Sequence, residues 1–141
     1  MNFLLDTNIV SEWMKPRPDA GVMDWLAEAD EDRIFLSAVT IAEIRYGIER
    51  LPPGVRRERL NAWLTDDLPL RFEDRILPID SKTGDRWGHI MARGRAAGRP
   101  VAAMDAFLAA TSEQYDLTLV TRNMSDFDVL GIRLVNPWRD G

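Results

Sequence analysis

Five short apolar runs punctuate the chain: Phe3-Leu4-Leu5, Ile34-Phe35-Leu36, Ile76-Leu77-Pro78-Ile79, Leu117-Thr118-Leu119-Val120 and Ile132-Arg133-Leu134-Val135. Their hydrophobicity is continuous rather than alternating, the pattern of strands covered on both faces in a parallel sheet. Between them, apolar residues recur at helical spacing. Ile9, Val10, Trp13 and Met14 form one stripe and Ile41, Ile44, Ile48 and Leu51 another. After the breaker Pro52-Pro53-Gly54 comes a third stripe, Leu60, Trp63, Leu64 and Leu68. Trp87, Ile90 and Met91 mark a further helix, with Trp87 and Met91 expected to face the core. Phe107, Leu108, Thr111 and Tyr115 mark the next. Strands alternating with helices predict an α/β domain with a mostly parallel central sheet flanked by helices. At 141 residues the chain suits one such domain, spanning 1–141.

Sheets of this kind hold ligands beyond the carboxyl ends of their strands. Four acids fall near such ends or at helix starts. Asp6 follows the first run, Glu43 lies early in the helix after Ile34–Leu36, Asp105 opens a helix over Asp105–Gln114, and Asp126 follows Leu117–Val120 within Thr121-Arg122-Asn123-Met124-Ser125-Asp126. Each has a structural explanation when taken alone. Asp6 suits a helix N-cap, Thr40-Ile41-Ala42-Glu43 has the spacing of a capping box, and Asp105 and Asp126 complement helix dipoles. Taken together, four carboxylates at one sheet edge repel one another and raise each other's pKa unless a cation neutralises them.

Composition narrows the chemistry. There is no cysteine and one histidine, His89, which excludes disulfides, thiolate metal sites, cysteine nucleophiles and multi-histidine sites. Oxygen-only donors select Mg²⁺, with Mn²⁺ the natural substitute, over zinc. Such a cage suits phosphodiester hydrolysis by an activated water, which needs no protein nucleophile. The net charge of -5 weighs at first against nucleic acid as a partner. With the four proposed site acids set aside, 19 acids remain against 18 bases, so most of the excess is accounted for by the cluster. The amino terminus lacks a basic n-region, and no apolar run approaches the ~20 residues of a membrane span. With the missing cysteines, this predicts a soluble cytoplasmic protein.

The segments Leu4-Leu5-Asp6-Thr7-Asn8, Leu36-Ser37-Ala38-Val39-Thr40-Ile41-Ala42-Glu43-Ile44, Asp105-Ala106-Phe107-Leu108-Ala109-Ala110-Thr111 and Leu119-Val120-Thr121-Arg122-Asn123 occur in an order that resembles the PIN-domain ribonucleases. The resemblance covers essentially the whole chain. It is nearest to the VapC toxins of type II toxin–antitoxin systems, particularly the FitB-like branch, whose chains end in a segment similar to Asn136-Pro137-Trp138-Arg139-Asp140. It implies an α/β/α fold, Mg²⁺-dependent cleavage of RNA, a homodimer, and a cognate antitoxin through which operator DNA is reached indirectly. The family's core acids carry over onto Asp6, Glu43 and Asp105. For the fourth position we favour Asp126 as a metal or water-positioning ligand, with Asn123 and Thr121 supporting it; Thr7, Asn8 and Ser37 are further candidates for orienting carboxylates or water. Trp13-Met14 and Trp25-Leu26 either form an apolar groove for an antitoxin tail or fill the core.

No acid occurs between Arg86 and Met104, and Arg86, His89 and Arg93 share one helical face at i, i+3 and i+7. That face is either a phosphate-contacting ridge beside the acid site or a solvated surface. Two other function classes compete with the nuclease. A Mg²⁺-dependent phosphatase of the haloacid-dehalogenase type needs a general acid two residues after its nucleophile, and that position holds Asn8. A binding-only module would engage an antitoxin and operator DNA without catalysis.

Overall fold

The computed structural model describes residues 1–138, so Arg139, Asp140 and Gly141, including the end of the carboxyl-terminal motif, lie outside the described residues. All five apolar runs become strands: β1 (Phe3–Leu5), β2 (Ile34–Ser37), β3 (Ile76–Leu77), β4 (Thr118–Val120) and β5 (Leu134–Val135). They form one sheet in the order β3-β2-β1-β4-β5, and every pairing is parallel. The sheet is therefore wholly rather than mostly parallel. Three strands, β3, β4 and β5, are shorter than their apolar runs. Pro78, which has no N–H to donate, follows directly after Leu77 and ends β3.

Helices α1 (Thr7–Val10), α2 (Ala20–Glu28), α3 (Ala38–Glu49), α4 (Val55–Ala62), α5 (Leu68–Phe72), α6 (Ser81–Ala96) and α7 (Ala103–Gln114) cover both faces of the sheet. The alternation of side chains along the strands separates two cores. Leu5, Leu36 and Val120 pack with Ile9, Val10, Ile44, Ile48 and Phe72 on one side. Leu4 and Leu119 pack with Ile90, Ala106, Leu108, Ala109 and Phe127 on the other. This is the α/β/α arrangement expected from the pattern. Among the described residues no helix is long and apolar enough to cross a membrane.

Several expectations change in detail. The first helical stripe divides into α1 and a 3₁₀ turn over Ser11–Met14. On α6 it is Ile90 that is fully buried, whereas Trp87 and Met91 pack at the margin of that core. Trp13 and Trp25 are each partly buried. Both lean on the first core, Trp25 edge-on to Phe3 at 5.0 Å and Trp13 against Phe72 at 6.1 Å, with the Arg71 guanidinium 4.4 Å above the Trp13 ring.

Candidate active site

With β1 central, the chain builds the sheet outward through β2 and β3 on one side and through β4 and β5 on the other. The crevice between β1 and β4, at their carboxyl ends, is the point where the strand order reverses and where doubly wound sheets take ligands. Asp6 stands there. Its backbone N–H continues the sheet ladder to Val120 O at 2.9 Å, which places its side chain directly above the crevice. One carboxylate oxygen, Oδ1, accepts the Thr7 N–H at 2.6 Å, so Asp6 does cap α1 as its position suggests. The other, Oδ2, accepts the Thr121 hydroxyl at 2.8 Å and the Asn8 amide at 3.4 Å.

The remaining acids arrive from separate elements. Glu43 lies in the middle of α3, and its Oε1 accepts the Thr7 hydroxyl at 2.6 Å. The capping-box explanation for Glu43 fails, because the N-cap of α3 is Ser37, whose Oγ accepts the Val39 N–H at 3.0 Å. Ser37 is thus a buried helix cap, while Thr40 lies inside the helix 3.2 Å from Thr7 Oγ1. Asp105 sits in the first turn of α7, which begins two residues earlier than expected. Asp6, Glu43 and Asp105 line one cleft of about 390 Å³, together with Thr7, Asn8 and Asn123. Asp126 ends a 3₁₀ turn over Met124–Asp126 and is exposed; it does not line the cleft, though its charge acts on both Asp6 and Asp105. Thr121 is buried and accepts the Asn123 N–H at 3.0 Å, tying that loop to Asp6.

The electrostatics are those of a crowded anion site. Burial pushes the Asp6 carboxyl above its ordinary value; hydrogen bonds from Thr121 and Thr7 pull against this, and the charges of Glu43 and Asp126 push it further. Asp105 is raised to about 6, first by burial and then by Asp6, Asp126 and Glu43. Among the described residues no three acidic or imidazole side chains are arranged to hold one metal ion as they stand. The chemistry of the donor set still fits a hard divalent cation. Every donor is oxygen, and the mutual repulsion of these carboxylates is what such a cation relieves.

Five residues of the cleft are not among those the sequence offers as site residues: Ser11, Glu12, Lys15, Arg122 and Trp138, the last two lying within the quoted motifs without a role assigned to them. Glu12 is only 2% exposed. Its burial depends on the 3₁₀ turn that follows α1, six residues beyond Asp6.

The basic face of α6 is elsewhere. Arg86 and Arg93 pair with Glu113 at 3.4 and 2.6 Å, Arg93 also donates to Leu130 O at 2.9 Å, and His89 lies 3.6 Å from Asp85. Glu113 is eight residues beyond Asp105 on α7, which corresponds to ~12 Å along the helix axis. The ridge does not adjoin the acid site. It borders a separate groove with Asp80, Lys82, Gln114 and Tyr115.

The family model for the PIN domain matches residues 3–131. The chain is 35% identical over 137 residues to the toxin FitB of Neisseria gonorrhoeae, covering 97% of this chain and 99% of that protein. It is 32% identical over 135 residues to the VapC ribonuclease Y4jK of Sinorhizobium fredii, covering 96% of each. Among solved structures, FitAB bound to an IR36 DNA fragment superposes with a TM-score of 0.92 at 33% identity, over 97% of this chain and 96% of that one.

Proposed function

The chain belongs to the PIN-domain family, and on that premise we propose that it is the toxin of a type II toxin–antitoxin system, an endoribonuclease that hydrolyses RNA phosphodiester bonds with Mg²⁺ or Mn²⁺. The observation that carries this reading is the convergence of Asp6, Glu43 and Asp105 on one cleft at the strand-order reversal. No cysteine is present and the single histidine lies on α6 away from the cleft, so hydrolysis falls to an activated water. The name of the Sinorhizobium relative supports a ribonuclease.

Asp6, Asp105 and Glu43 would hold the cation, with Asp126 at the rim. A divalent cation bound there supplies Lewis-acid activation of water and neutralises charge on the phosphate. The protein's share is to keep the carboxylates ionised and aimed. The Thr121 and Asn8 donors hold Asp6 Oδ2 in one orientation, and the Thr7 N–H holds Oδ1. The Thr7 hydroxyl donates to Glu43 Oε1, so one residue couples two acids. Asn123 borders the cleft, its backbone N–H held by Thr121 Oγ1.

The FitAB relative, seen as a complex on DNA, supports a cognate antitoxin as the protein partner, with operator DNA reached through it. A homodimer in the cytoplasm completes the proposal. The purified chain should cleave RNA with Mg²⁺ or Mn²⁺ and stop in excess chelator, and Asp6→Ala and Asp105→Ala should each abolish cleavage. Full activity in chelator, or undiminished activity in both variants, would overturn the assignment. A folded wild type that binds its antitoxin but never cuts RNA would favour the binding-only module.

A further inference from the structure

Thr40 touches the acid cluster from behind, without lining the cleft itself. It is the third residue of α3, fully buried, and one helical turn before Glu43. Its hydroxyl needs a partner there, because an orphaned buried polar group is costly. The usual outlet of a helical hydroxyl is the carbonyl four residues back. Thr111 and Ser112 use it on α7, at 2.8 and 3.0 Å. Thr40 sits too early in its helix for this, since four residues back is Leu36, still inside β2. Among the described residues its one side-chain partner is Thr7 Oγ1, 3.2 Å away.

A bond between two hydroxyls can run either way, and proton accounting gives this one a direction. The Thr7 hydroxyl has a single proton and two acceptors within reach, Glu43 Oε1 at 2.6 Å and Thr40 Oγ1 at 3.2 Å. The carboxylate is both the nearer and the charged acceptor, so it takes that proton. Thr40 then donates to Thr7 and Thr7 to Glu43, each bond polarising the next. Thr7 is itself only partly buried. Without the hydroxyl of Thr40 behind it, its side chain could turn to water instead of to Glu43.

We propose that Thr40 is a positioning residue for the cluster, the buried end of a hydroxyl relay from Thr40 through Thr7 that holds Glu43 Oε1 in place for a divalent cation. The proposal rests on the ribonuclease reading. The spacing of Thr40 and Glu43, which fails as a capping box, thereby acquires a reason. Residues three apart share a helix face, and here that face turns both side chains to Thr7.

The test is Mn²⁺ titration of the metal-free protein, read by the paramagnetic resonance of free Mn²⁺, with RNA cleavage kinetics alongside. Thr7→Val removes the group that bonds Glu43 and should weaken Mn²⁺ binding by about 10–100-fold. Thr40→Val keeps the branched shape, deletes only the donor behind Thr7, and should weaken it by about three- to tenfold. Because Thr40 acts through Thr7, the double variant should bind Mn²⁺ within about twofold of Thr7→Val alone. Thr40→Ser should restore affinity. At saturating Mn²⁺ the KM for RNA should stay within about twofold of wild type in Thr40→Val. If that variant does not fold, Thr40→Ala removes the hydroxyl without adding bulk and takes its place. Wild-type Mn²⁺ affinity in a folded Thr40 variant, with cleavage intact, would overturn the relay and leave the ribonuclease standing. Losses that multiply in the double variant would also overturn it, since Thr40 would then act apart from Thr7. Coupled losses in a protein that binds Mn²⁺ but never cuts RNA would support the relay and overturn the ribonuclease. A wild type that takes up no Mn²⁺ would overturn both.

Discussion

The hydroxyl of Thr121 donates to Asp6 Oδ2 at 2.8 Å, joining the ends of β4 and β1 across 115 residues of chain. Both side chains are buried, so neither is readily rescued by water if the other is removed. Thr121→Val keeps the shape, deletes the donor to Asp6 and deletes the acceptor of the Asn123 N–H. We expect a loss of about 1–3 kcal/mol in urea unfolding and a ~10–100-fold loss in metal affinity, since orientation of the ligating carboxylate is lost. Thr121→Ser should recover most of both. Unaltered metal titration in the valine variant would show that Asp6 is oriented by other groups.

Asp105 presents the opposite trade. It contributes charge to the site and repulsion to the fold, being raised to about 6 by burial and by Asp6, Asp126 and Glu43. Asp105→Asn should therefore abolish metal-dependent cleavage while raising stability in chelator. The side chain is only half-buried, so solvent screens much of the effect, and the gain should be on the order of 1 kcal/mol. Thermal melts with and without Mg²⁺ check this directly. A variant that is both active and destabilised would remove Asp105 from the cluster.

How much of this was legible in the sequence depends on whether a role is local or tertiary. Asp6, Glu43 and Asp105 could be found because strand ends and helix starts are local signals, and a parallel sheet gathers its strand ends along one edge. The Thr40–Glu43 spacing misled in its structural explanation, since a cap is set by where the strand stops, and β2 runs on to Ser37. Glu12, Lys15 and Trp138 were not legible. Their burial and pairing arise from a 3₁₀ turn and from the chain folding back after β5, neither of which has a period to read. The basic face on α6 was correctly placed on one side of a helix, but which end of the molecule it faces is decided by Glu113 on a different helix.

The same carboxyls set a pH dependence. A group whose folded pKa is raised above its ordinary 3.8 binds more protons in the native state, so stability falls as pH rises through that interval. For Asp105 the contribution is whole below about 4 and is lost as pH climbs past about 6. Asp80, held low by the Thr83 N–H and hydroxyl, acts in the opposite sense, so the difference between wild type and Asp105→Asn is the quantity to follow. In chelator the wild type should lose stability relative to the variant between pH 4.5 and 7. Saturating Mn²⁺ should reverse the trend, because metal binds the ionised carboxylates. A difference that stays constant with pH would show that Asp105 does not titrate in this window.

Gly94 packs tightly against the turn that leads from α6 into α7. A Cβ there would lie 2.6 Å from Val101 Cγ2 and 2.9 Å from Arg99 O, one of them backbone that yields little. Gly94→Ala should destabilise the fold by about 1–3 kcal/mol and displace the turn that feeds Ala103 and Asp105 into the cleft. Calorimetry gives the first effect, and metal affinity measured well below the melting temperature gives the second. Wild-type stability would mean that the α6–α7 connection adjusts without strain.

The two basic surfaces make separable predictions. Arg93 is committed to Glu113 and to Leu130 O, and Arg86 to Glu113. Removing either guanidinium leaves a half-buried carboxylate underpaired, and Arg93→Ala also frees a carbonyl at the end of the turn over Asp128–Leu130. We expect Arg86→Ala/Arg93→Ala to lower stability by roughly 1 kcal/mol, as for partly exposed pairs, and to change RNA affinity by less than twofold. Lys15→Gln/Arg122→Gln should weaken RNA binding in a salt-sensitive way, and it should also lower stability, because it leaves the buried Glu12 carboxylate without its ammonium partner. Parallel anisotropy and melting measurements on the two double variants decide between them. Equal loss of RNA affinity in both would extend the RNA path from the acid cleft over α7 to the face of α6. Loss confined to the α6 pair would move the path off the cleft walls altogether.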